Sequence, residues 1–354
     1  MQPIRVIQLV GSFQIGGGER VALTLAARLG PPRFRSELWC VGSDGPLRDM
    51  AEREGVRCRI LGGGVRPLAR ELREARADVV HCHSKRAHFR GALAAALSGG
   101  AACVHTRHGL GERDVSWRVR LLEHMAMPLT RAYVAVSDEV LKRTARYRRI
   151  PFRKAVVIAN GVDTDLFHPA GEPISNSTVR AVCVARLSEE KRHCDLLDAT
   201  ARVRKMGVPL SLLLVGDGPL RAELEAQAQR LGIADAVSFL GNRSDVPELL
   251  RGCDLFVLSS RVEGLPLSVL EAMSSGLPVV ATAVGALPAV VQPGSTGLLV
   301  PPLSPARLAE ALAQVCRDAE FRRQARQIAR RLVVEQFSVT RMIDAHERLY
   351  ARLK

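Results

Sequence analysis

The stretch SSRVEGLPLSVLEAMSSGLPVV, residues Ser259–Val280, places two glutamates, Glu263 and Glu271, on either side of a Gly-Leu-Pro. The preceding DLFVLSS predicts a buried strand, RVEGLP a turn, and LSVLEAMSSG a helix that begins at or just after Pro266. Proline suits that position, because the first helical turn does not need its missing N–H. The pattern therefore predicts a strand, a turn and a helix, with a carboxylate before and within the helix.

The start of this helix predicts an anion site. The backbone N–H groups of Leu265, Leu267 and Ser268 would point at an anion beyond the end of the strand, and the helix dipole favours negative charge there. If the anion is a diphosphate, Glu263 lies near one of its ends and Glu271 near the other. Carboxylates accept hydrogen bonds from paired hydroxyls, so a sugar at one end and a ribose at the other would suit them. A nucleotide sugar has that layout.

The rest of the chain alternates short apolar strands with amphipathic helical stretches, which is typical of parallel sheets covered by helices on both faces. Five strand candidates lie in each half, so we expect two similar α/β domains. They are IRVIQLV, SELWCVG, DVVHCH, AACVHTRH and AYVAVS in the first half, and VRAVCVARL, LSLLLVGDG, AVSFLG, DLFVLSS and PVVATAV in the second. The segment NGVDTDLFHPAGEPISNSTVR reads as a linker between them. We predict one domain over residues 1–168 and a second over 169–337. A last helix over 338–354, with Met342, Ile343, Leu349 and Tyr350 along one side, would pack on one of the two.

Composition narrows the class of protein. The chain has 354 residues and 47% hydrophobic residues, which suits two globular domains. Its start lacks a basic segment followed by a long apolar run, and eight scattered cysteines include no Cys-x-x-Cys. We therefore expect a cytoplasmic protein without a disulfide framework or a zinc ribbon.

The net charge of +15 is uneven. Residues 1–168 hold 28 basic and 16 acidic side chains, a net +12, whereas the remainder has a net +3. The run KRTARYRRIPFRK, Lys142–Lys154, contains no acidic residue. It is either a solvated helix face or a surface for anionic headgroups at the inner face of the cell membrane. Charge alone would also fit nucleic acid, but an aromatic content of 4% leaves few stacking platforms, so we expect no specific nucleic-acid partner.

Three further motifs lie in the first half. Gly16, Gly17 and Gly18 open its first helix, where glycine lets the backbone approach a phosphate or sugar closely or simply makes a tight turn. HCHSKR and HTRHGLGER end two apolar strands, and their four histidines have spacings that also occur in metal sites, but we expect no metal here. In WRVRLLEHMAMPLTR the helical spacing of Trp117, Leu121, Met125 and Leu129 predicts core packing.

The string VEGLPLSVLEAMSSGLPVVATAVGALPAVVQPGSTGLLVPP resembles the donor-binding segment of family 4 glycosyltransferases, which have the two-domain GT-B fold. VARLSEEKRH is similar to the family's Arg-x4-Lys element, with Arg186 and Lys191 in place of its diphosphate-binding pair. LLLVGDGP and VSFLGNRSDVPELL resemble its second strand and its base-binding segment, IGGGERVALTLA its glycine-rich loop, and His108-Gly109 the His-Gly near the reacting sugar carbon. The match is strong throughout the second domain and limited to landmarks in the first.

The resemblance implies two Rossmann-like domains facing across a cleft, and a glycosyltransferase that moves a sugar from a nucleotide diphosphate sugar to a hydroxyl. From the resemblance we also expect UDP- or GDP-linked donors and a lipid-linked or polysaccharide acceptor. We further expect retention of anomeric configuration and no need for a metal or cofactor. A nucleotide-sugar epimerase or a phosphorylase of the same fold is the alternative. The expected site comprises His108 and Glu263 as catalytic residues, His83 and Arg107 on the acceptor side, and a donor set of Gly16, Gly17, Gly18, Arg186, Lys191, Gly216, Gly241, Asn242, Glu263, Gly264, Leu265, Pro266, Leu267 and Glu271.

Overall fold

The structure, a computed structural model, describes residues 2–62, 64–109, 117–148, 152–171 and 178–354. The described strands are β1 Ile4–Val10, β2 Phe34–Cys40, β3 Cys58–Ile60, β4 Val79–Cys82, β5 Ala102–Arg107, β6 Thr130–Ala135, β7 Ala155–Val157, β8 Val179–Val184, β9 Leu210–Val215, β10 Val237–Gly241, β11 Leu255–Leu258, β12 Val279–Thr282 and β13 Gly297–Val300.

The described α-helices lie between these strands and after the last of them. They are α1 Gly17–Arg28, α2 Leu47–Arg53, α3 Val65–Glu74, α4 Lys85–Ser98, α5 Trp117–Ala126, α6 Asp138–Arg148, α7 His193–Lys205, α8 Arg221–Arg230, α9 Val246–Arg251, α10 Leu267–Ser274, α11 Leu287–Val290, α12 Pro305–Arg317, α13 Ala319–Gln336 and α14 Val339–Leu353.

The chain divides into two compact units, Met1–Asn160 with Thr340–Lys354, and Gly161–Val339. The division falls before the predicted boundary at 168/169. The segment after Asn160 is tied to the second unit by Arg330, whose guanidinium donates to the carbonyls of Thr164 and Phe167 at 2.8 and 2.7 Å. The linker composition did not reveal these contacts.

The first unit contains a parallel sheet of seven strands in the order β3-β2-β1-β4-β5-β6-β7. Two apolar clusters cover its opposite faces: Leu9 and Trp39 belong to one, and Val10 and Leu38 to the other. The strand order reverses between β1 and β4, where Gln8 lies level with His81. Ligands of open α/β sheets bind beyond the carboxyl ends of the strands at such a reversal.

The second unit contains a parallel sheet of six strands in the order β10-β9-β8-β11-β12-β13, and its order reverses between β8 and β11. All four residues of β11 are buried, as are those of β12. Two all-parallel α/β domains are therefore confirmed, with seven and six strands where five each were predicted.

Helix α14 carries the predicted apolar side. Met342, Ile343, Leu349 and Tyr350 are all buried, with Tyr350 fully so, and Thr340–Lys354 belong to the first unit. Arg33 forms an ion pair with Glu347 at 2.9 Å. The chain thus returns to the first unit after completing the second, and it brings a buried phenol with it.

Candidate functional site

In the second unit, the turns after β8 and β11 meet where the strand order reverses. Lys191 Nζ donates to Glu263 Oε1 at 2.6 Å, and the Ser260 hydroxyl donates to the same oxygen at 2.6 Å. Ser259 Oγ donates to the carbonyls of Lys191 and Arg192. The sequence predicted Lys191 and Glu263 separately, and the topology brings them together.

Glu263 is 8% exposed, and its Oε1 accepts both bonds. The described residues make no hydrogen bond to its Oε2. The Glu263–Gly264 turn is braced by the Ala286 N–H, which donates to the Gly264 carbonyl at 2.8 Å. Gly285 has φ +58°, and a Cβ there would lie 2.3 Å from the Glu263 carbonyl oxygen, so glycine is required. The turn therefore holds Glu263 in place by close backbone packing.

Helix α10 begins at Leu267 after Pro266, as predicted. Proline has no polar side chain to cap the first-turn N–H groups, which have no partner within the helix. Leu265 is buried, and Glu271 is 2% exposed among apolar neighbours on the helix. Every residue of α10 from Val269 to Ser274 is buried, Glu271 among them.

The remaining donor-side residues line the same edge of the sheet. Arg186 follows β8 and is exposed, and no carboxylate of the described residues lies within ion-pair distance of it. Gly216 has φ +127°, and a Cβ there would lie 2.2 Å from the Ala185 carbonyl oxygen. Gly216 bridges to Gly241, and Asn242 next to it is exposed. These placements agree with a ligand-binding edge, while the individual roles stay predictions.

In the first unit, the glycine-rich loop and two histidines lie together. His83 Nδ1 lies 3.0 Å from His108 Nε2, and the two rings meet edge to edge with their planes 21° apart. A Cβ at Gly18 would lie 2.9 Å from Cδ2 of His108, so the ring packs directly on that glycine. The predicted residues His83, His108 and Gly18 thus form one cluster where the strand order of the first sheet reverses.

This cluster is electrically neutral near pH 7. Burial lowers the pKa of His108 to about 3, and the nearby His346 acts in the same direction. Burial also holds the pKa of His83 well below its usual range, with His108 and His346 adding to the effect. Neutral imidazoles hydrogen-bond through one N–H and one lone pair, which makes their tautomers matter.

Arg107, predicted on the acceptor side, is buried. Its guanidinium pairs with Glu123 at 3.2 Å and its Nε donates to the Gly109 carbonyl at 3.2 Å. These contacts hold the loop that carries His108. Acceptor binding by Arg107 stays a prediction.

The histidines do not assemble as a metal site. Within the described ranges, no three His, Cys, Asp or Glu side chains are grouped as metal ligands would be. His81 uses both ring nitrogens, on Tyr350 and on Thr106, each at 2.6 Å. His105 Nδ1 bonds the Cys82 carbonyl at 3.0 Å. All eight cysteines are free.

The surface of α5 corrects one prediction. Leu121 and Met125 are 50% and 53% exposed, whereas the helical spacing predicted core packing; only Leu129 of the described positions packs against the core.

In the basic run, Lys154 donates to the carbonyls of Pro128 and Thr130, so it holds the fold together. Residues 149–151 of that run lie outside the described residues. No helix in the described part of the chain is long and apolar enough to cross a bilayer.

Sequence reasoning missed Ser260, Gln8 and Tyr350. Gln8 is a polar residue inside the apolar strand IRVIQLV, and it is fully buried. Because a buried polar side chain needs a hydrogen-bond partner, a glutamine within an apolar strand indicates a buried polar contact. The sequence places Tyr350 on the apolar side of the last helix, and no local pattern indicates a role for its hydroxyl.

Comparison with known proteins fits this arrangement. The profile of the family described as Glycosyltransferase Family 4 matches residues 15–166, and that of Glycosyl transferases group 1 matches residues 167–332. The two matches are contiguous and cover both units. The chain belongs to glycosyltransferase family 4. This confirms the resemblance and makes the protein a glycosyltransferase.

Several bacterial enzymes are similar to this family 4 glycosyltransferase. An Escherichia coli UDP-Gal:alpha-D-GlcNAc-diphosphoundecaprenol alpha-1,3-galactosyltransferase is 27% identical over 95% of this chain and 94% of its own. A Mycobacterium tuberculosis GDP-mannose-dependent alpha-(1-6)-phosphatidylinositol monomannoside mannosyltransferase is 29% identical over 64% of this chain and 63% of its own. The crystal structure of Anabaena HepE with UDP and glucose superposes with a TM-score of 0.88 at 22% identity, covering 99% of this chain and all of that one. The fold is GT-B.

Proposed function

We propose that this glycosyltransferase moves a sugar from a UDP- or GDP-linked donor to a hydroxyl of a lipid-linked or polysaccharide acceptor, with retention of configuration and without a metal. The observation that carries the proposal is the contact between Lys191 and Glu263 beside the start of α10. It joins a cation for a diphosphate to a carboxylate for hydroxyls at the edge where α/β sheets bind ligands. The names of the two relatives support both donor types.

Diphosphate departure needs positive charge. When the bond from the sugar to phosphate breaks, negative charge develops on the diphosphate, and preorganised donors there lower the barrier. Lys191 uses one of its three N–H groups on Glu263, which leaves two for a phosphate. Arg186 is exposed at the same edge. With the amides at the start of α10, these two cations would supply the charge that metal ions supply in other enzymes.

Three further residues are assigned to the donor. Glu263 would accept hydrogen bonds from sugar hydroxyls through Oε2, because its Oε1 already accepts from Lys191 and Ser260. Glu271 would accept the ribose hydroxyls. By the family pattern, His108 of the first unit would contact the sugar near its reacting carbon.

For the acceptor we propose an anionic lipid-linked glycan reached from a membrane surface. The first half carries a net +12, and Arg131, Arg143 and Arg153 are exposed. Leu121 and Met125 add exposed apolar area. The E. coli relative acts on a diphosphoundecaprenol-linked sugar, as its name states. A protein acting there would lie at the inner face of the cell membrane.

A thermal-shift panel of UDP, GDP, UDP-glucose, UDP-galactose and GDP-mannose tests the donor. A ligand present at 100 times its Kd stabilises the native state by about 2.7 kcal/mol, which raises the unfolding midpoint measurably. We expect one base to stabilise the protein and the matching nucleotide sugar to do so as well. The control is Glu271→Gln, which keeps the side-chain volume and should lose most of the shift. No stabilisation by any of the five would contradict the proposal.

A further inference from the structure

A buried hydrogen-bonded chain connects α14 to His108. It runs from Tyr350 through Gln8 and His83, and all three side chains are at most 4% exposed. The Gln8 amide nitrogen lies 3.5 Å from the Tyr350 hydroxyl, the Gln8 amide oxygen 2.8 Å from His83 Nε2, and His83 Nδ1 3.0 Å from His108 Nε2. Each link is therefore within hydrogen-bonding reach of the next.

The direction of this chain follows from the chemistry of each group. An amide oxygen only accepts, so His83 Nε2 carries the hydrogen. A neutral imidazole then has its lone pair on Nδ1, and His108 Nε2 must donate to it. His108 consequently carries its hydrogen on Nε2 and its lone pair on Nδ1. With Gln8 turned over, every one of these bonds would reverse, and His108 would carry the hydrogen on Nδ1.

Tyr350 decides between the two directions. Its hydroxyl lies 2.6 Å from His81 Nδ1, and Thr106 Oγ1 lies 2.6 Å from His81 Nε2. One of these hydroxyls donates to the neutral ring and the other accepts. A phenol is the stronger acid and the better donor, and burial raises the pKa of Tyr350 so that it stays protonated. The Tyr350 hydroxyl therefore donates to His81 Nδ1. Its oxygen is left as an acceptor towards Gln8, so the Gln8 NH₂ group must face it.

We propose that Gln8, oriented by Tyr350, is a positioning residue that fixes the tautomer of His108 through His83. The ring then presents a hydrogen-bond acceptor, Nδ1, to its surroundings. Among the described residues Nδ1 is buried and has no partner. A hydroxyl donor of the ligand would complete it, which restricts His108 to accepting from a hydroxyl and excludes donation to an oxyanion from this atom. Only this last step rests on the proposed function.

The tautomer is measured directly by long-range proton–nitrogen NMR on the full chain with ¹⁵N-labelled histidine, because protonated and unprotonated ring nitrogens have well-separated shifts. His108→Asn assigns the signal. We expect a protonated Nε2 and an unprotonated Nδ1 in the wild type. A protonated Nδ1 would overturn the inference.

Two variants test the direction of control. Tyr350→Phe keeps the ring but removes the hydroxyl, and Gln8→Met keeps the shape but removes the amide; each should give a mixture of His108 tautomers. The matched control is Thr130→Val. It removes a buried hydrogen bond to His88 at 2.8 Å that is not part of the series from Tyr350 to His108. His108 should be unchanged in that variant. A single unchanged tautomer in Tyr350→Phe and Gln8→Met would overturn the proposal.

Turnover separates the inference from the proposed function. If His108 contacts the donor sugar, Gln8→Met should lower kcat about tenfold, the size of one misplaced hydrogen bond, and leave nucleotide affinity unchanged. A mixed tautomer with unchanged kcat would support the inference and count against the role proposed for His108. Unchanged tautomer with reduced kcat would count against the inference alone.

Discussion

Arg186 and Lys191 are both assigned to the diphosphate, but the structure gives them different surroundings. Arg186 is exposed and forms no ion pair with the described carboxylates, whereas Lys191 pairs with a buried glutamate at 2.6 Å. Replacing either by alanine removes a cation that would stabilise the departing diphosphate. We expect each to lose about 2 to 4 kcal/mol of transition-state stabilisation, which is roughly a 30- to 1,000-fold fall in kcat.

The two variants should differ in stability. Removing one partner of a fully buried ion pair costs about 3–5 kcal/mol. Lys191 keeps 21% of its side-chain exposure, and Ser260 still donates to Glu263, so we expect about 1–2 kcal/mol for Lys191→Ala. At about 2–4 °C per kcal/mol, that lowers the unfolding midpoint by roughly 2–8 °C. Arg186→Ala, an exposed substitution, should stay within about 0.5 kcal/mol of the wild type.

Two measurements are made on each variant. One is kcat in steady-state kinetics with the nucleotide sugar identified by thermal shift, and the other is the unfolding midpoint without ligand. Matched loss of kcat with unequal loss of stability supports the diphosphate assignment. If both variants retain wild-type kcat, the assignment is wrong. If Arg186→Ala loses as much stability as Lys191→Ala, the contrast between an exposed Arg186 and a Lys191 paired with buried Glu263 is wrong.

Three further predictions follow from the geometry. Gly18→Ala should push the His108 ring by a few tenths of an ångström and lower kcat about tenfold, while Gly30→Ala, which meets no atom within 4 Å, should not; equal kcat in both would show that the contact is irrelevant. Glu271→Gln should weaken nucleotide binding in calorimetry without unfolding the protein, and unchanged affinity would remove Glu271 from the site. Neutralising three exposed arginines should weaken binding to anionic vesicles by roughly 1 kcal/mol for each charge at low salt, with nucleotide affinity unchanged, and equal vesicle binding would show that the surface is only solvated. The three are Arg131, Arg143 and Arg153.

Interior strands such as β11 and β9 could be predicted from sequence because they are rich in large apolar residues. The three strands that were missed, β3, β7 and β13, all lie at the edges of their sheets. Two of them have three residues and the third has four, too short for periodicity to distinguish them from loop. Their pairing comes from the neighbouring strand, which the local sequence does not describe.

The candidate site was predictable as a set of motifs but not as contacts. Lys191 and Glu263 are 72 positions apart, and only the adjacency of β8 and β11 makes them a pair. Gln8 and Tyr350 are 342 positions apart, and their contact needs the chain to return to the first unit. Local patterning carries no information on such pairs. For the same reason the exposure of Leu121 and Met125 could not be inferred from helical spacing alone.

The central claim is transfer of a sugar from a nucleotide diphosphate to a hydroxyl acceptor. The most direct measurement incubates the enzyme with the donor found by thermal shift, labelled in its sugar, and a diphosphoundecaprenol-linked acceptor, and quantifies released nucleotide diphosphate and labelled product together. We predict equimolar amounts of the two, dependence on acceptor, and an anomeric linkage of the same configuration as in the donor. An altered nucleotide sugar formed without acceptor, or labelled sugar phosphate in place of labelled glycan, would contradict the account and favour an epimerase or a phosphorylase.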